Sequence, residues 1–75
     1  MTREIPIRDQ TIRLGQLLKL AGVVDSGSEV KELLAGEAAL VNEEPEIRRG
    51  RQLHPGDRVR LAGHDLLVTA GDPAP

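Results

Sequence analysis

The sequence predicts an α+β domain in which two short packed helices precede a small, mostly antiparallel sheet. Apolar residues recur with helical spacing in the first half of the chain, and beyond Gly36 their spacing becomes that of strands. Residues typical of turns separate these segments. A length of 75 residues leaves room for one domain with one small core.

The first segment, residues 3–8, alternates polar and apolar side chains and indicates a short strand. Pro6 has no N–H group, so it is tolerable only at the edge of a sheet. Residues 9–11 offer polar groups that could cap a helix. Gly22 is typical of a residue that ends one. Between them, apolar residues lie at i, i+3, i+4 and i+7, on one face of an amphipathic helix: Leu14, Leu17, Leu18 and Ala21.

A second helix is predicted to begin after Ser26. Ser26 and Glu29 have the spacing of a capping box, in which each side chain accepts a hydrogen bond from the backbone N–H of the other residue. A shorter apolar stripe follows and ends at Gly36: Val30, Leu33 and Leu34. Because only a few residues separate the two helices, we expect them to pack against each other at an angle.

Beyond Gly36, residues 38–41 suit a largely buried strand. Residues 42–45 suit a turn, and residues 46–48 suit the beginning of a return strand. These three short segments together predict a hairpin.

A second turn, at residues 54–57, precedes four strictly alternating residues, 58–61. This alternation places Val59 and Leu61 inside and two arginines outside. A turn at residues 62–65 then leads to a strand at 66–68. The domain is therefore predicted over residues 1–70, followed by a disordered tail at residues 71–75.

Composition excludes several classes of protein. The chain has no cysteine, which excludes disulfides and thiolate metal sites, and no motif for a cofactor. No apolar run reaches the roughly 18 residues of a membrane span, and no signal peptide is evident. We expect a cytoplasmic protein without a membrane partner, and a monomer is favoured.

Catalysis and metal binding have little support. Ser26 and Ser28 have a ready role as helix caps, and His54 and His64 lie in predicted turns, so no catalytic triad is indicated. The spacing of the hairpin glutamates matches no calcium loop. The sequence therefore predicts a protein that is not an enzyme.

Charge is strongly polarised along the chain despite a formal net charge of −2. Residues 26–46 hold one lysine and six glutamates, whereas residues 47–60 hold five arginines and one aspartate. The chain contains no Phe, Trp or Tyr, so it cannot grip single strands by stacking bases on aromatic rings. A nucleic-acid partner would have to be bound through phosphates, polar groups and arginine planes.

The arginine cluster, Arg48, Arg49 and Arg51 around Gly50, admits two interpretations. The arginines could be solvated charges balanced by the hairpin glutamates, in cross-strand pairs worth roughly 0.2–1 kcal/mol each. Alternatively, they could contact phosphates, with Gly50 letting the backbone bend or a phosphate approach closely. From the residue types and their spacing alone, the two interpretations have about equal support.

An ordered set of motifs resembles a known family, the S4-type RNA-binding domain, also called the alpha-L motif. The resemblance covers about residues 12–61 and is greatest to short, stand-alone bacterial members. The residues that carry it begin with Arg13-Leu14, Leu17-Leu18 and Ala21-Gly22, followed by Ser26-Gly27-Ser28-Glu29, Lys31, Val41-Asn42, Arg48-Arg49-Gly50-Arg51 and Pro55-Gly56-Asp57.

The resemblance implies two helices packed at an angle on a small antiparallel sheet. It implies that the ligand is structured RNA, in particular ribosomal RNA. It also implies RNA contacts at the start of the second helix and along the adjoining hairpin. The chain departs from the family at three places: Gly27 and residues 38–40 stand where a basic residue is common, and Glu43 stands where glycine usually follows the asparagine of the hairpin. We therefore expect weaker or more selective binding. Carried over by position, the RNA-binding residues are Arg13, Ser26, Gly27, Ser28, Lys31, Asn42, Arg48, Arg49 and Arg51.

A second hypothesis uses the same scaffold as a protein-interaction module. In it, the acidic surface of the second helix and the hairpin docks a basic protein, such as a ribosome-associated one. Arginines neutralised by the hairpin glutamates would favour this alternative, and a continuous basic patch would favour RNA. The acidic residues concerned are Glu29, Glu32, Glu37, Glu43 and Glu44.

Overall fold

A computed structural model describes residues 2–71 and confirms the predicted α+β class. Two helices, α1 and α2, pack with a mostly antiparallel sheet. In chain order the elements are β1 (Arg3–Ile7), β2 (Ile12–Arg13), α1 (Leu14–Leu20), α2 (Gly27–Gly36), β3 (Ala39–Val41), β4 (Glu44–Glu46), β5 (Gln52–Leu53), β6 (Arg58–Leu61) and β7 (His64–Ala70).

The main sheet has five strands in the order β1-β7-β6-β3-β4. Strand β1 lies at one edge, as Pro6 predicts, and β4 lies at the other edge with Pro45 in it. Strand β1 pairs with β7 in parallel, in register from Arg3 opposite Leu66 to Ile7 opposite Ala70, and the other pairs are antiparallel. A proline on each edge strand removes an N–H group that could recruit a foreign strand.

The helix boundaries follow the sequence closely, but the caps differ from those predicted. Helix α1 begins after Arg13, whose backbone N–H donates to the Gln16 side chain, rather than after residues 9–11. In α2 the Ser26 hydroxyl accepts from the Glu29 N–H at 3.3 Å, as predicted. The Glu29 carboxylate, however, accepts from the Asp25 N–H instead of that of Ser26, so the capping box is shifted by one residue.

The hairpin between β3 and β4 is tighter than predicted. Its turn contains only Asn42 and Glu43, whose φ angles of 52° and 71° both lie in the left-handed region. The predicted return strand is therefore present as β4, Glu44–Glu46, but it ends at Glu46 instead of beginning there. Consequently, the arginine cluster lies in the loop at residues 47–51 rather than on a strand.

Strands β2 and β5 form a separate two-stranded antiparallel sheet, which the sequence did not indicate. It pairs Ile12 with Leu53 and Arg13 with Gln52. Leu53 is fully buried and anchors the end of the 47–51 loop in the core. The loop is thus held at both ends, by β4 before it and by β5 after it.

One hydrophobic cluster joins the helices to the inner face of the main sheet. Val59 and Leu61 are buried while Arg58 and Arg60 are exposed, as the alternation of β6 predicts. No helix within residues 2–71 is long and apolar enough to cross a membrane. The largest fully buried side chains of the core are Leu14, Leu17, Leu18, Val30, Val41, Leu53, Val59, Leu66 and Val68.

The predicted tail at residues 71–75 lies outside the described residues except for Gly71. The Gly71 N–H donates to the carbonyl of Ile7 at 2.7 Å, extending the pairing of β1 and β7 by one hydrogen bond.

The left-handed backbone at Glu43 predicts that glycine is preferred there. A side chain in this conformation costs about 1 kcal/mol, which glycine avoids. Replacing Glu43 also removes its exposed ion pair with Arg60, at 3.2 Å. We therefore compare Glu43→Gly with Glu43→Ala, which loses the same ion pair but keeps a Cβ atom. Urea denaturation should show the glycine variant to be more stable by about 1 kcal/mol, and equal stability would contradict the strain.

Candidate nucleic-acid interface

A buried carboxylate, that of Glu46, organises the arginine loop. Glu46 is 6% exposed at the end of β4 and accepts five hydrogen bonds. Two come from the backbone N–H groups of Ile47 and Arg48, at 3.1 and 3.0 Å. The Arg48 guanidinium donates to both carboxylate oxygens, at 3.0 and 3.1 Å, and Arg51 Nη1 donates at 3.1 Å.

These donors keep the Glu46 carboxylate ionised despite its burial. The Arg48 side chain, then the Arg48 backbone N–H and the Arg51 side chain, lower the pKa of Glu46 from 4.5 to about 2, although desolvation acts in the opposite direction. The same contact raises the pKa of Arg48. Glu46 therefore partly neutralises the positive charge of two of the three clustered arginines, Arg48 and Arg51.

Backbone carbonyls of the loop in turn accept hydrogen bonds from the N-terminus of α1. The carbonyl of Arg51 accepts from the Leu14 N–H at 2.8 Å, and the carbonyl of Arg49 accepts from the Gly15 N–H at 2.9 Å. The first N–H groups of a helix have no partner within it, so these carbonyls satisfy two of them. A Cβ atom built at Gly15 would lie 3.5 Å from the Arg49 Cβ, an ordinary van der Waals contact, so loop and helix lie close together here without requiring glycine.

Arg49 lines a cleft of about 310 Å3 between α1, the start of α2 and the loop. Basic side chains from α1 and from the loop line this cleft. On the side formed by α2, Gly27 has no side chain to fill it. The lining residues are Arg13, Gly15, Gln16, Lys19, Gly27, Val30, Arg49 and Gly50.

A second cleft, of about 400 Å3, adjoins the first and shares Arg49 with it. Helix α2 contributes Lys31, Leu34 and Ala35, and the loop contributes Ile47. We call the two clefts together the basic groove.

The basic groove gathers positive charge that has no carboxylate partner among residues 2–71. Among residues 2–71, none of its four basic side chains forms an ion pair with a carboxylate: Arg13, Lys19, Lys31 and Arg49. All four are exposed. The N-terminus of α2 at Gly27 adds partial positive charge on the same side. An anionic ligand with several charges suits this arrangement.

The sequence-predicted residues fall into three groups. Arg13, Gly27, Lys31 and Arg49 line the basic groove. Arg48 and Arg51 lie beside it, around a smaller cleft with Gly50 and Gln52, and both are tied to Glu46. The remaining predicted residues, Ser26, Ser28 and Asn42, do not line these clefts.

The residues outside the clefts have structural contacts of their own. Ser26 caps α2. The Asn42 amide donates to Asp57 Oδ1 and accepts from the Arg58 N–H, both at 3.0 Å, which joins the β3–β4 turn to the turn before β6. Burial opposes the effect, but hydrogen bonds from Asn42 and from the His54 backbone lower the pKa of Asp57.

Gly50 does not have the left-handed backbone that would demand glycine. It is absent from the described residues with positive φ, and apart from its two chain neighbours no described residue comes within 4 Å of where its Cβ would be. The space above it is open to both neighbouring clefts. Of the two reasons weighed for this glycine, close approach of a ligand fits the geometry better than a forced bend.

The residues predicted from sequence did not include Lys19, which lines the first cleft, or Glu46, which organises the loop. Arg13, Gln16 and Lys19 recur every third position, so they form a polar stripe along one edge of α1. That spacing could have drawn Lys19 into the site. The burial of Glu46 had no sequence signal, because it depends on β4 ending one residue after Pro45.

Comparisons with known proteins agree with the resemblance seen in the sequence. The S4 domain family model matches residues 5–69, beyond both ends of the region on which that resemblance rests. The probable ribosome maturation protein RlbA of Bacillus subtilis (strain 168) is 48% identical to this chain over 63 residues. That alignment covers 84% of this chain and 89% of the relative.

The low pKa of Glu46 predicts a pH-dependent loss of stability. Its pKa lies below the unfolded value, so the folded protein binds fewer protons, and its contribution is present above about pH 4.5 and lost as pH falls toward 2. The variant Glu46→Gln should lower the free energy of unfolding by about 1–3 kcal/mol at neutral pH. Urea denaturation of both proteins across this range should show the difference closing in acid.

Glu44→Gln is the matched control, because Glu44 is an exposed carboxylate on the same strand with no hydrogen bond or ion pair among the described residues. It should change stability by less than about 0.5 kcal/mol at any pH. A difference between Glu46→Gln and the unmodified protein that stays constant with pH would refute the role of the ionised carboxylate.

Proposed function

Because this chain belongs to the S4 domain family, we propose that it is a small RNA-binding protein that recognises structured RNA, ribosomal RNA in particular. The observation that carries the proposal is the basic groove. An acidic protein concentrates four basic side chains without carboxylate partners among residues 2–71 along two adjoining clefts, although it has six glutamates between residues 26 and 46. Like charges held together repel one another, and a polyanion relieves this repulsion.

The mode of binding follows from the side chains in the groove. Guanidinium and ammonium groups donate to phosphate oxygens, and Arg49 and Arg13 present planar forks that match phosphate geometry. The chain offers no aromatic ring for bases to stack on. Affinity therefore comes from phosphates, and selectivity comes from the shape of a folded RNA whose backbone fits the groove.

A ribosomal ligand is supported by the name of the similar Bacillus subtilis protein, a probable ribosome maturation protein. The departures from the family at Gly27, Glu43 and residues 38–40 reduce the number of phosphate contacts. We therefore propose moderate affinity, suited to a protein that binds an RNA surface reversibly.

The proposed RNA-binding residues differ in whether their side chains are already engaged by other residues of the protein. Arg13, Lys31 and Arg49 contact phosphate directly, with Gly27 leaving room for backbone approach. Arg48 and Arg51 contribute less, because Glu46 already satisfies part of their charge. Ser26, Ser28 and Asn42 support the geometry of the α2 start and the hairpin.

The alternative, an acidic docking surface for a basic protein, has weaker support. Neutralisation of the arginine cluster by the hairpin glutamates would favour this alternative over RNA binding. Glu46 does neutralise two arginines, but it is buried and so cannot also form an exposed docking surface. Glu43 pairs with Arg60 on the open face of the sheet rather than with the cluster.

Replacing Arg49 tests the proposal most directly, since Arg49 lines both clefts. Binding of a structured ribosomal RNA fragment should weaken by about tenfold in Arg49→Ala, and the slope of log affinity against log salt should fall by about 1. Filter binding or fluorescence anisotropy at several salt concentrations measures both quantities.

Arg60→Ala is the matched control. Arg60 is an exposed arginine on β6, paired with Glu43 and away from the groove, so its removal should leave affinity within about twofold. Affinity that does not depend on salt, or equal losses in both variants, would reject the groove as an RNA site. Loss of partner capture only on charge reversal of Glu29 and Glu32 would favour the protein-interaction alternative.

A further inference from the structure

The second cleft of the basic groove contains an apolar side chain that the fold does not use. Ile47 is 67% exposed, yet it begins the loop that Glu46 holds in place. Its backbone N–H is fixed by the Glu46 carboxylate, so the side chain is presented in a defined position. Leu34 and Ala35 of α2 lie across the cleft from it.

Cations flank this apolar surface. Lys31 lies one helical turn before Ala35 on α2, and Arg49 lies two residues after Ile47 in the loop. Neither has a carboxylate partner among residues 2–71. The cleft therefore combines an apolar floor with a positive charge on either side.

A nucleotide in an RNA chain has the complementary chemistry. Its base has two apolar faces, and a phosphate precedes and follows it along the chain. In a continuous duplex those faces are stacked on neighbouring bases and are not available. Only an unpaired nucleotide, bulged or at a junction, can lay a base face on an apolar side chain while both phosphates meet cations.

On the premise of the proposed function, we infer that the cleft formed by Lys31, Leu34, Ala35, Ile47 and Arg49 holds one unpaired nucleotide of the RNA. Its volume of about 400 Å3 lies within the roughly 300–1,000 Å3 in which proteins bind small organic ligands. The ligand class is thus narrowed from structured RNA to a helix interrupted by an unpaired nucleotide. Without aromatic residues, Ile47 and the guanidinium plane of Arg49 provide the surfaces on which the base packs.

The test uses two synthetic RNA hairpins with the same stem, one fully paired and one with a single bulged adenosine. The unmodified protein should bind the bulged hairpin about fivefold more tightly at the same salt concentration, at the lower end of what base stacking contributes. Ile47→Ala should abolish this preference, so that the variant binds the bulged and the paired hairpin with equal affinity. Its thermal stability should be unchanged, because the side chain is exposed and the N–H that binds Glu46 remains.

Leu20→Ala is the matched control. Leu20 is also a largely exposed leucine-sized side chain, 59% exposed, but it lies with Pro6, Ile7 and Ile12 outside the basic groove. This variant should keep the preference for the bulged hairpin. With 2-aminopurine as the bulged base, fluorescence should change on binding to the unmodified protein and to Leu20→Ala, and not on binding to Ile47→Ala.

The outcomes separate this inference from the proposal on which it rests. Equal binding of both hairpins, with Arg49→Ala still weakening each, would overturn the nucleotide cleft and leave the RNA-binding function intact. Absence of salt-dependent binding to either hairpin would overturn both. If the cleft instead holds an acidic peptide segment, Ile47→Ala will leave the two RNA affinities unchanged, which also overturns the inference.

Discussion

The buried carboxylate of Glu46 is the constraint on which the arginine loop and the basic groove depend. It gathers two backbone N–H groups and two guanidinium groups, and it thereby fixes the conformation of the loop at residues 47–51. The carbonyls of that loop satisfy the first N–H groups of α1. A single ionised side chain thus links the edge strand β4, the arginine loop and the first helix, and the basic groove lies where these elements meet.

This arrangement also explains how a protein with a net negative charge can present a basic surface. Glu46 takes up part of the charge of Arg48 and Arg51, and Glu43 and Asp65 pair with Arg60 and Arg58 on the other side of the sheet. The basic side chains left without ion pairs among residues 2–71 include all four in the groove. Local pairing, rather than net charge, decides where a polyanion can bind.

The sequence predicted the helices, the edge strand at Pro6 and the alternation of β6 because each depends on short-range patterns. It also predicted Arg13, Gly27, Lys31 and Arg49, which the fold brings to one groove, through resemblance to the S4 family. It misjudged the β3–β4 hairpin, because Glu43 occupies a left-handed conformation that its side chain disfavours. The two-residue turn is retained because β3 is held by β6 on its other side and Asn42 is bonded to Asp57.

The sequence by itself determined the fold class, the core and the residue types available for binding, since these follow from periodicity and composition. Only the tertiary structure decided which arginines are free. The sequence does not distinguish Arg48, Arg49 and Arg51 from one another. In the structure, Arg48 and Arg51 form ion pairs with a buried carboxylate, whereas Arg49 lines the groove. That distinction depends on where β4 ends and on how the loop packs against α1, which are contacts between residues more than thirty positions apart in the chain.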